Sequence, residues 1–325
     1  MKKKLALVLV ALFSISTMFI GCGTDEPKET KEIKVVVPDG LPSMATAKMI
    51  KEKPEIMKEY NISYSIENTP ENIVSEVLKG EIDIAVVPSN VAATQYNKNA
   101  GYKIAGTIGW GSFYLISADG EKTLEDLKGK EVYNIGKGLT PDIVTRAVLK
   151  DKGYDVDNDF NFSYVNGITE LAPTILAGKT KFAVVPEPAL TQIISKKPDV
   201  KIIMDFNEEW KKLNESEYGF PQATIIVKND LIENDKKFVE KFLSSVEESC
   251  KFALENKDEL ANYCEEIGVS ASKAIIPKAM EKANIKFVGI KDSYKEYEIY
   301  FNKLNEFDAK AIGGKVPDEG VFMEK

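Results

Sequence analysis

The chain has 325 residues and a formal net charge of −8, from 43 basic and 51 acidic side chains, and it contains no histidine. An acidic surface disfavours nucleic-acid binding, which needs basic patches. Without imidazole, zinc and iron sites lose a frequent nitrogen ligand, and serine triads lose their general base. Composition therefore favours a protein without a transition metal, a cofactor or an acid–base catalytic centre.

The first 22 residues have the pattern of a bacterial export signal. Lysines at 2–4 precede an uncharged run over 5–20, which is too short and too close to the N-terminus for a typical membrane span. Phe19-Ile20-Gly21-Cys22 resembles a lipoprotein lipobox, with Phe19 at a position that is usually Leu. The pattern predicts cleavage before Cys22 and a lipid on its thiol. The alternatives are an ordinary signal peptide with an incidental cysteine and a retained membrane anchor.

Beyond Cys22, polar residues up to position 32 predict a flexible tether. From Ile33, short apolar runs alternate with amphipathic segments. They predict strands over 33–37, 62–66 and 82–87 and helices over 42–60 and 70–79. Such alternation is typical of an α/β protein with a largely parallel sheet covered by helices on both faces.

The chain then repeats itself at an offset of 98 residues. Four pairs of segments share this register: Gly40-Leu41 with Gly138-Leu139, Asn68 with Asn166, 78–80 with 176–178, and 85–88 with 183–186. One shared tetrapeptide means little, whereas four anchors in one register indicate two copies of a βαβαβ unit, over 33–90 and 131–188. The copies predict two similar lobes.

The remainder of the chain is predicted to be mostly helical. After strands over 201–204 and 223–227, apolar residues recur every fourth position on one helical face: Phe238, Phe242, Val246 and Cys250. Because a long helical tail needs a surface to pack on, we expect it to pack on lobe one. Lobe one then comprises 33–116 and 223–325, and lobe two comprises 117–222.

Arginine and cysteine are both scarce. Arg146 is the single arginine, so no pair of arginines can clamp a sulfonate or phosphate. Cys250 and Cys264 are interpreted as two separate, partly buried thiols. A disulfide between them is the alternative for an exported protein.

At this point the chain resembles the solute-binding proteins of ABC importers, in the branch that includes nitrate, sulfonate, taurine and thiamine-pyrimidine binders. Four segments carry the resemblance: 39–43, 76–85, 123–130 and 313–317. It extends over the whole chain beyond the signal. It implies a type II periplasmic-binding-protein fold, with two α/β lobes, helices on both faces of each sheet, and a ligand cleft between the lobes.

Ligands of open α/β sheets bind beyond the carboxyl ends of the strands. In the first copy these ends carry Asp39, Leu41, Pro42, Ser43, Ser89 and Asn90; in the second they carry Lys137, Leu139, Thr140, Asn166 and Glu187. Free N–H groups at the helix starts in these loops favour acceptor atoms or anions on a ligand. The alternatives are that Ser43 and Thr140 only cap their helices and that Lys137 is merely solvated.

Three further features bear on the ligand. Trp110, between two glycines at the first crossing between the lobes, is interpreted as a wall of the cleft, with core packing as the alternative; Tyr114 follows it as a candidate. Glu187 occupies the place of Ser89 in the first copy and can accept hydrogen bonds from an amine, or act as a helix N-terminal acid. Together with the lack of paired arginines, they favour a small neutral or weakly basic ring over an anion such as a sulfonate or nitrate.

These observations predict a monomeric, lipid-anchored protein on the outer face of the cell membrane. It captures a small molecule, closes, and presents the molecule to the permease and ATPase subunits of an ABC importer. One alternative is an enzyme on the same fold, as in menaquinone-pathway proteins and pyrimidine synthases, which the export signal and the missing histidine disfavour. Another is a sensor module that feeds a receptor.

Replacing Cys22 by serine tests the predicted anchor. The variant is expected to lose its lipid, because the hydroxyl cannot form the thioether, and to shift from the membrane fraction to the soluble exported fraction. Cell fractionation and intact-protein mass spectrometry measure both effects. A variant that stays in the membrane fraction with unchanged mass contradicts lipidation at Cys22.

Overall fold

The computed structural model describes residues 30–68 and 70–324. The predicted signal peptide, Cys22 and most of the predicted tether lie outside these residues. The first strand begins at Lys31, so the tether prediction runs two residues too far. Among the described residues, no helix combines the length and the apolar character needed to cross a membrane.

Strands and helices alternate through the first two thirds of the chain, and helices dominate the last third. In chain order the elements are β1 (Lys31–Pro38), α1 (Leu41–Ala45), α2 (Ala47–Glu52), β2 (Tyr60–Glu67), α3 (Pro70–Lys79), β3 (Ile84–Pro88), α4 (Ser89–Asn97), β4 (Tyr102–Trp110), β5 (Phe113–Ser117), β6 (Glu131–Ile135), α5 (Thr140–Asp151), β7 (Asn161–Val165), α6 (Ile168–Leu176), β8 (Phe182–Pro186), α7 (Ala189–Lys196), β9 (Lys201–Asp205), α8 (Phe206–Asn214), β10 (Pro221–Lys228), α9 (Asn229–Asn234), α10 (Lys236–Glu255), α11 (Lys257–Ile267), α12 (Ile276–Ala279), β11 (Ile285–Gly289) and α13 (Ile290–Asp308).

The strands form two separate sheets, one in each lobe. The first has the order β11-β4-β10-β3-β1-β2 and the second β7-β6-β8-β5-β9. Within each sheet the βαβαβ strands are parallel, and the strands added beside β3 and β8 are antiparallel. The two-lobed α/β fold is therefore confirmed, but both sheets are mixed rather than mainly parallel.

The internal repeat is visible in the topology. The order β2-β1-β3 of the first sheet recurs as β7-β6-β8 in the second, and β3 and β8 both end in the matched prolines, Pro88 and Pro186. Gly80 and Gly178 follow the matched helices α3 and α6 with φ values of 69° and 70°. Both positions need the left-handed conformation that glycine adopts without strain.

The first predicted helix, over 42–60, is wrong in length. Pro42 lies in the first turn of α1, and α2 ends at Glu52, followed by the capping residue Lys53 with a φ of 48°. Pro54 follows directly and cannot continue a helix. Residues 53–59 therefore form an irregular connection to β2 instead of two more helical turns.

The second sheet begins earlier than predicted. β5 pairs with β8 and β9, so the chain first crosses between the lobes at Gly111-Ser112, and the predicted boundary after residue 116 lies inside β5. The return crossing precedes β10. The tail also contains β11, which pairs with β4 and was not predicted from the sequence.

The helical tail packs on both lobes. The predicted apolar face of α10, at Phe238, Phe242, Val246 and Cys250, is buried against lobe one together with α2 and α11. Cys250 and Cys264 are both buried and free, as the interpretation of two separate thiols expects. In contrast, α13 also packs on α5 of lobe two.

Three hydrophobic clusters organise the molecule. One fills the face of the first sheet under α1, α2, α10 and α11, and another fills the face of the second sheet under α6 and α7. The third combines the remaining faces of both sheets, from Val36 and Val87 in lobe one to Val132 and Phe182 in lobe two, around α13. The lobes therefore share a core on one side of the molecule and can separate only on the other.

The two lobe crossings are tightly packed against each other at Gly111 and Phe220. A Cβ at Gly111 would lie 2.2 Å from the Phe220 ring and 2.5 Å from Asn207 Oδ1. Asn207 Oδ1 accepts from the Phe220 N–H at 3.2 Å, and Asn207 Nδ2 donates to the Tyr218 carbonyl at 3.1 Å. The first crossing is thus packed against the second without room for a methyl group.

A Gly111→Ala variant is expected to lose about 1–3 kcal/mol of unfolding free energy or more, because its methyl group overlaps the Phe220 ring. Denaturant unfolding followed by circular dichroism measures the loss. Gly289→Ala is the control, since Gly289 has a φ of −68° and no atom within 4 Å of its missing Cβ. Equal stability of the two variants contradicts close packing at the crossing.

Candidate ligand-binding cleft

A cleft of about 590 Å³ lies between the lobes, on the side opposite the shared core. Lobe one contributes the residues that follow β1, Gln222 of β10 and the loop 270–275 that precedes α12. Lobe two contributes α6, α7 and the end of β8. The cleft therefore lies beyond the carboxyl ends of β1 and β8, as expected for an open α/β sheet.

In the cleft wall from lobe one, hydrogen bonds of Asp39 hold two distant segments together. The Asp39 carboxylate accepts from the Ser270 N–H at 3.1 Å and from the Ser270 hydroxyl, which connects the end of β1 with a loop more than 200 residues later. Gly40 follows with a φ of 103°, a conformation that favours glycine. Leu41 and Pro42 then begin α1 and expose apolar surface to the cleft.

The wall from lobe two is largely apolar. Two neighbouring helices, α6 and α7, present it, and their lining side chains include Ile168, Ala172, Pro173, Leu176 and Ile193. The sequence of α6, Ile168-Thr-Glu-Leu-Ala-Pro-Thr-Ile-Leu176, has only one charged residue. Such a surface suits the apolar part of a small ligand, as most small-molecule pockets do.

The carboxyl group of Glu187 is buried beside this apolar wall. Its side chain is 4% exposed, and its oxygens accept from the Thr191 hydroxyl at 2.9 Å and the Thr191 N–H at 3.3 Å. Burial raises the pKa of Glu187 from 4.5 to about 7, despite the opposing effect of the two Thr191 hydrogen bonds. A ligand that donates a hydrogen bond or carries a positive charge there favours the ionised form.

The cleft carries more negative than positive groups. Among the residues that the structure describes, Asp39 and Glu187 are its two carboxyl groups and Lys196 is its one cationic lining residue. Gln222 adds a polar contact, with its Oε1 held at 2.8 Å by the Ser112 N–H. Electrostatically, the lining favours a neutral or basic ligand over a small anion.

Four of the predicted site residues line this cleft: Asp39, Leu41, Pro42 and Glu187. Three others, Ser89, Asn90 and Thr140, are brought together elsewhere, in a buried hydroxyl cluster with Tyr297 and Tyr300 of α13. Asn90 Oδ1 accepts from Thr140 Oγ1 at 3.2 Å, Thr140 is 2.7 Å from the Tyr300 hydroxyl, and Ser89 pairs with Thr224. Ser43 is buried separately, donating to the Gly40 carbonyl at 2.9 Å within its own helix start.

The placing of Trp110 and Tyr114 in the cleft wall is not supported. Trp110 is 2% exposed, its Nε1 donates to the Lys286 carbonyl at 3.1 Å, and its ring packs 5.0 Å from that of Tyr218. It is buried because β11, which the sequence did not predict, covers β4. Tyr114 lies in the middle of the second sheet, 3% exposed, with its hydroxyl donating to the Lys282 carbonyl.

Lys137, Leu139 and Asn166 also lie outside the cleft lining. Lys137 is exposed above the Tyr164 ring, Leu139 is 50% exposed, and Asn166 bonds to Glu170 at the start of α6. The nearby Arg146 contacts Asp142, whose carboxylate accepts from the Gly138 N–H at 2.9 Å. The single arginine therefore stabilises the loop before α5 from within lobe two.

Most residues that line the cleft were not predicted from the sequence. The α6 and α7 faces could have been found from the repeat, because each follows a strand end that the repeat aligns with lobe one. Residues 270–275 and Gln222 carry no such signal, since their position depends on how the tail folds back.

The fold and the cleft define a two-lobed binding protein of the type II periplasmic class. The chain belongs to the menaquinone biosynthesis family, whose model matches residues 57–306. No curated protein matches the chain by sequence.

Several solved structures share the fold over nearly the whole chain. An ABC transporter protein from Parabacteroides distasonis is 29% identical, with a TM-score of 0.80 over 91% of this chain and 99% of that one. The aliphatic sulphonate binding protein SsuA from Escherichia coli is 13% identical, with a TM-score of 0.75 over 91% and 93%. The nitrate-binding protein NrtA from Synechocystis PCC 6803 is 14% identical, with a TM-score of 0.64 over 90% and 87%.

The stability of the ligand-free protein is expected to fall as the pH rises from about 4.5 to about 7. In that window the folded chain keeps a proton on Glu187 that the unfolded chain releases, so unfolding becomes easier with rising pH. The full effect is about 3 kcal/mol, and it should be absent from Glu187→Gln, which stays neutral.

Urea unfolding at about pH 5 and about pH 8 measures this difference. Glu233→Gln is the control, because Glu233 is an exposed carboxylate on α9, far from the cleft lining. The same pH dependence in wild type and Glu187→Gln contradicts a buried, proton-holding Glu187.

Proposed function

We propose that this protein is the extracytoplasmic solute-binding component of an ABC importer. It captures a small molecule in the cleft and delivers it to a permease with its ATPase subunits. The observation that carries the proposal is the apolar cleft between two lobes, with a buried carboxyl group at the strand ends. The name of the Parabacteroides distasonis relative as an ABC transporter protein supports it.

The ligand we propose is a small neutral or weakly basic ring compound. An apolar wall from α6 and α7 fits a ring face, and Glu187 accepts hydrogen bonds from a ring nitrogen or an amino group. A small anion is the weaker alternative, because it meets two carboxyl groups and one lysine. The names of SsuA and NrtA refer to a sulphonate and to nitrate, but both are under 15% identical to this chain and share only its fold.

Capture works through closure of the cleft. The shared core around α13 keeps the lobes together on one side, so motion at the two crossings opens and closes the other side. A ligand that contacts both walls binds the closed state more tightly than the open state and shifts the population towards it. No chemical step is required.

The predicted lipid on Cys22 completes this proposal. A tether outside the membrane keeps the binding protein close to its permease and raises its effective concentration there. The segment between Cys22 and β1 is polar and short, which suits a connection of this kind.

An enzyme is the second candidate, because the family is described by menaquinone biosynthesis. The groups that line the cleft and can exchange protons are Asp39, Glu187 and Lys196. Asp39 is engaged with Ser270, and the chain has no histidine to act as a base near neutral pH. We therefore propose binding without conversion.

Mass spectrometry of solute that co-purifies with the protein tests the function directly. We expect one small molecule that is recovered unchanged after prolonged incubation, because the cleft has no arranged acid–base pair. Its recovery in chemically altered form supports the enzyme instead. A protein that retains no solute and binds none from the growth medium contradicts both.

Glu187→Gln is expected to weaken binding of the co-purified solute about tenfold or more. A hydrogen bond to a charged group contributes about 1.5–3 kcal/mol, and the amide replaces one acceptor by a donor. Calorimetric titration at about pH 8 measures the change. Glu233→Gln should bind like wild type. Unchanged affinity in Glu187→Gln rules out the carboxyl group as a ligand contact.

A further inference from the structure

The cleft-facing stripe of α7 has opposite charges at its two ends. Ala189, Gln192, Ile193 and Lys196 have the i, i+3, i+4, i+7 spacing of one helical face, and all four line the cleft. Glu187 precedes the stripe, at the end of β8. With a rise of 1.5 Å per residue, the helical part spans about 10 Å. The stripe therefore connects a carboxyl end with an ammonium end.

The two charged ends lie at different depths. Glu187 is 4% exposed, and its backbone N–H donates to the Ser112 carbonyl at the lobe crossing, 3.0 Å away. Lys196 is exposed at the last turn of α7. Within the described part of the chain, its ammonium group forms no ion pair. The carboxyl group thus sits at the floor of the cleft and the ammonium group at its mouth.

The surface between these ends is apolar on both sides. Ala189 of α7 and Ala172 and Leu176 of α6 face the cleft from lobe two. Leu41 and Ile275 face it from lobe one. A ligand that lies along α7 therefore passes from an acceptor, over apolar surface, to a cation.

We propose that the cleft binds a bipolar solute: an apolar body, about 10 Å long, with a basic nitrogen at one end and an anionic group at the other, so that the whole solute carries no net charge. The nitrogen enters first and meets Glu187, and the anionic group stays at the mouth with Lys196. This inference rests on the proposed solute-binding function and adds the solute's polarity and orientation.

Only a bipolar ligand pairs with both charged ends of the stripe, Glu187 and Lys196. A purely anionic solute could pair with Lys196 but would leave Glu187 without a donor, and a purely basic solute would leave Lys196 without a counter-charge. The buried end contributes more to affinity than the exposed end, because water screens Lys196.

Three probes with one body test the proposal: 4′-(aminomethyl)biphenyl-4-carboxylate, 4-phenylbenzylamine and biphenyl-4-carboxylate. Calorimetric titration is done on wild type, Glu187→Gln and Lys196→Gln. We expect the bipolar probe to bind most tightly. Glu187→Gln should weaken binding of the two amines about tenfold, and Lys196→Gln should weaken binding of the two carboxylates about threefold.

Lys179→Gln is the matched control, since Lys179 is an exposed lysine just beyond α6 and outside the cleft lining. The proposal is overturned if 4-phenylbenzylamine or biphenyl-4-carboxylate binds more tightly than the bipolar probe. It is also overturned if Glu187→Gln weakens binding of biphenyl-4-carboxylate, or if Lys196→Gln weakens binding of 4-phenylbenzylamine. Failure of all three probes to bind also overturns this proposal. In that case, mass spectrometry of the co-purified solute still tests the solute-binding function independently. Melting curves confirm that each variant is folded.

Discussion

The buried contact between α13 and both sheets is the constraint on which the rest of the structure depends. Tyr297 bonds to Thr107 and Thr224 within lobe one, and three residues later Tyr300 bonds to Thr140 of lobe two. Both rings are completely buried in the cluster that the lobes share. Each hydroxyl has a partner, so the cluster avoids the cost of unpaired polar groups in a dry interior. One helix thereby fixes how the two lobes face each other.

This constraint determines where a ligand can enter. With one side of the lobe interface filled by aromatic rings, the remaining gap lies between α1 and the helices α6 and α7. The strand ends β1 and β8 open into that gap and bring Asp39 and Glu187 to it. A polar floor under apolar walls follows from the topology, because strand ends carry loops with polar groups while helix faces cover the sheets.

The parts of this fold that depend on local pattern were predictable, and those that depend on distant pairing were not. The repeat correctly indicated equivalent strands, and the spacing of Phe238, Phe242 and Val246 correctly indicated the buried face of α10. Glu187 was found because the repeat aligned it with a strand end. Trp110 was misplaced because its cover, β11, arrives from residues 285–289. Asn90 and Thr140 do converge and bond to each other, but Tyr300, far away in the sequence, also bonds to Thr140 and buries the pair.

The bond between Asp39 and Ser270 has a consequence for the order in which the molecule matures. The lobe-one wall of the cleft combines residues that follow β1 with a loop from the last quarter of the chain, so a fragment that lacks the last quarter has no complete cleft. A chain that has been synthesised as far as β10 already has most strands of both sheets, yet it lacks the loop that meets Asp39. The cleft is therefore complete only after the C-terminal helices have been synthesised and have docked, and an unfinished chain cannot hold a solute between both of its walls.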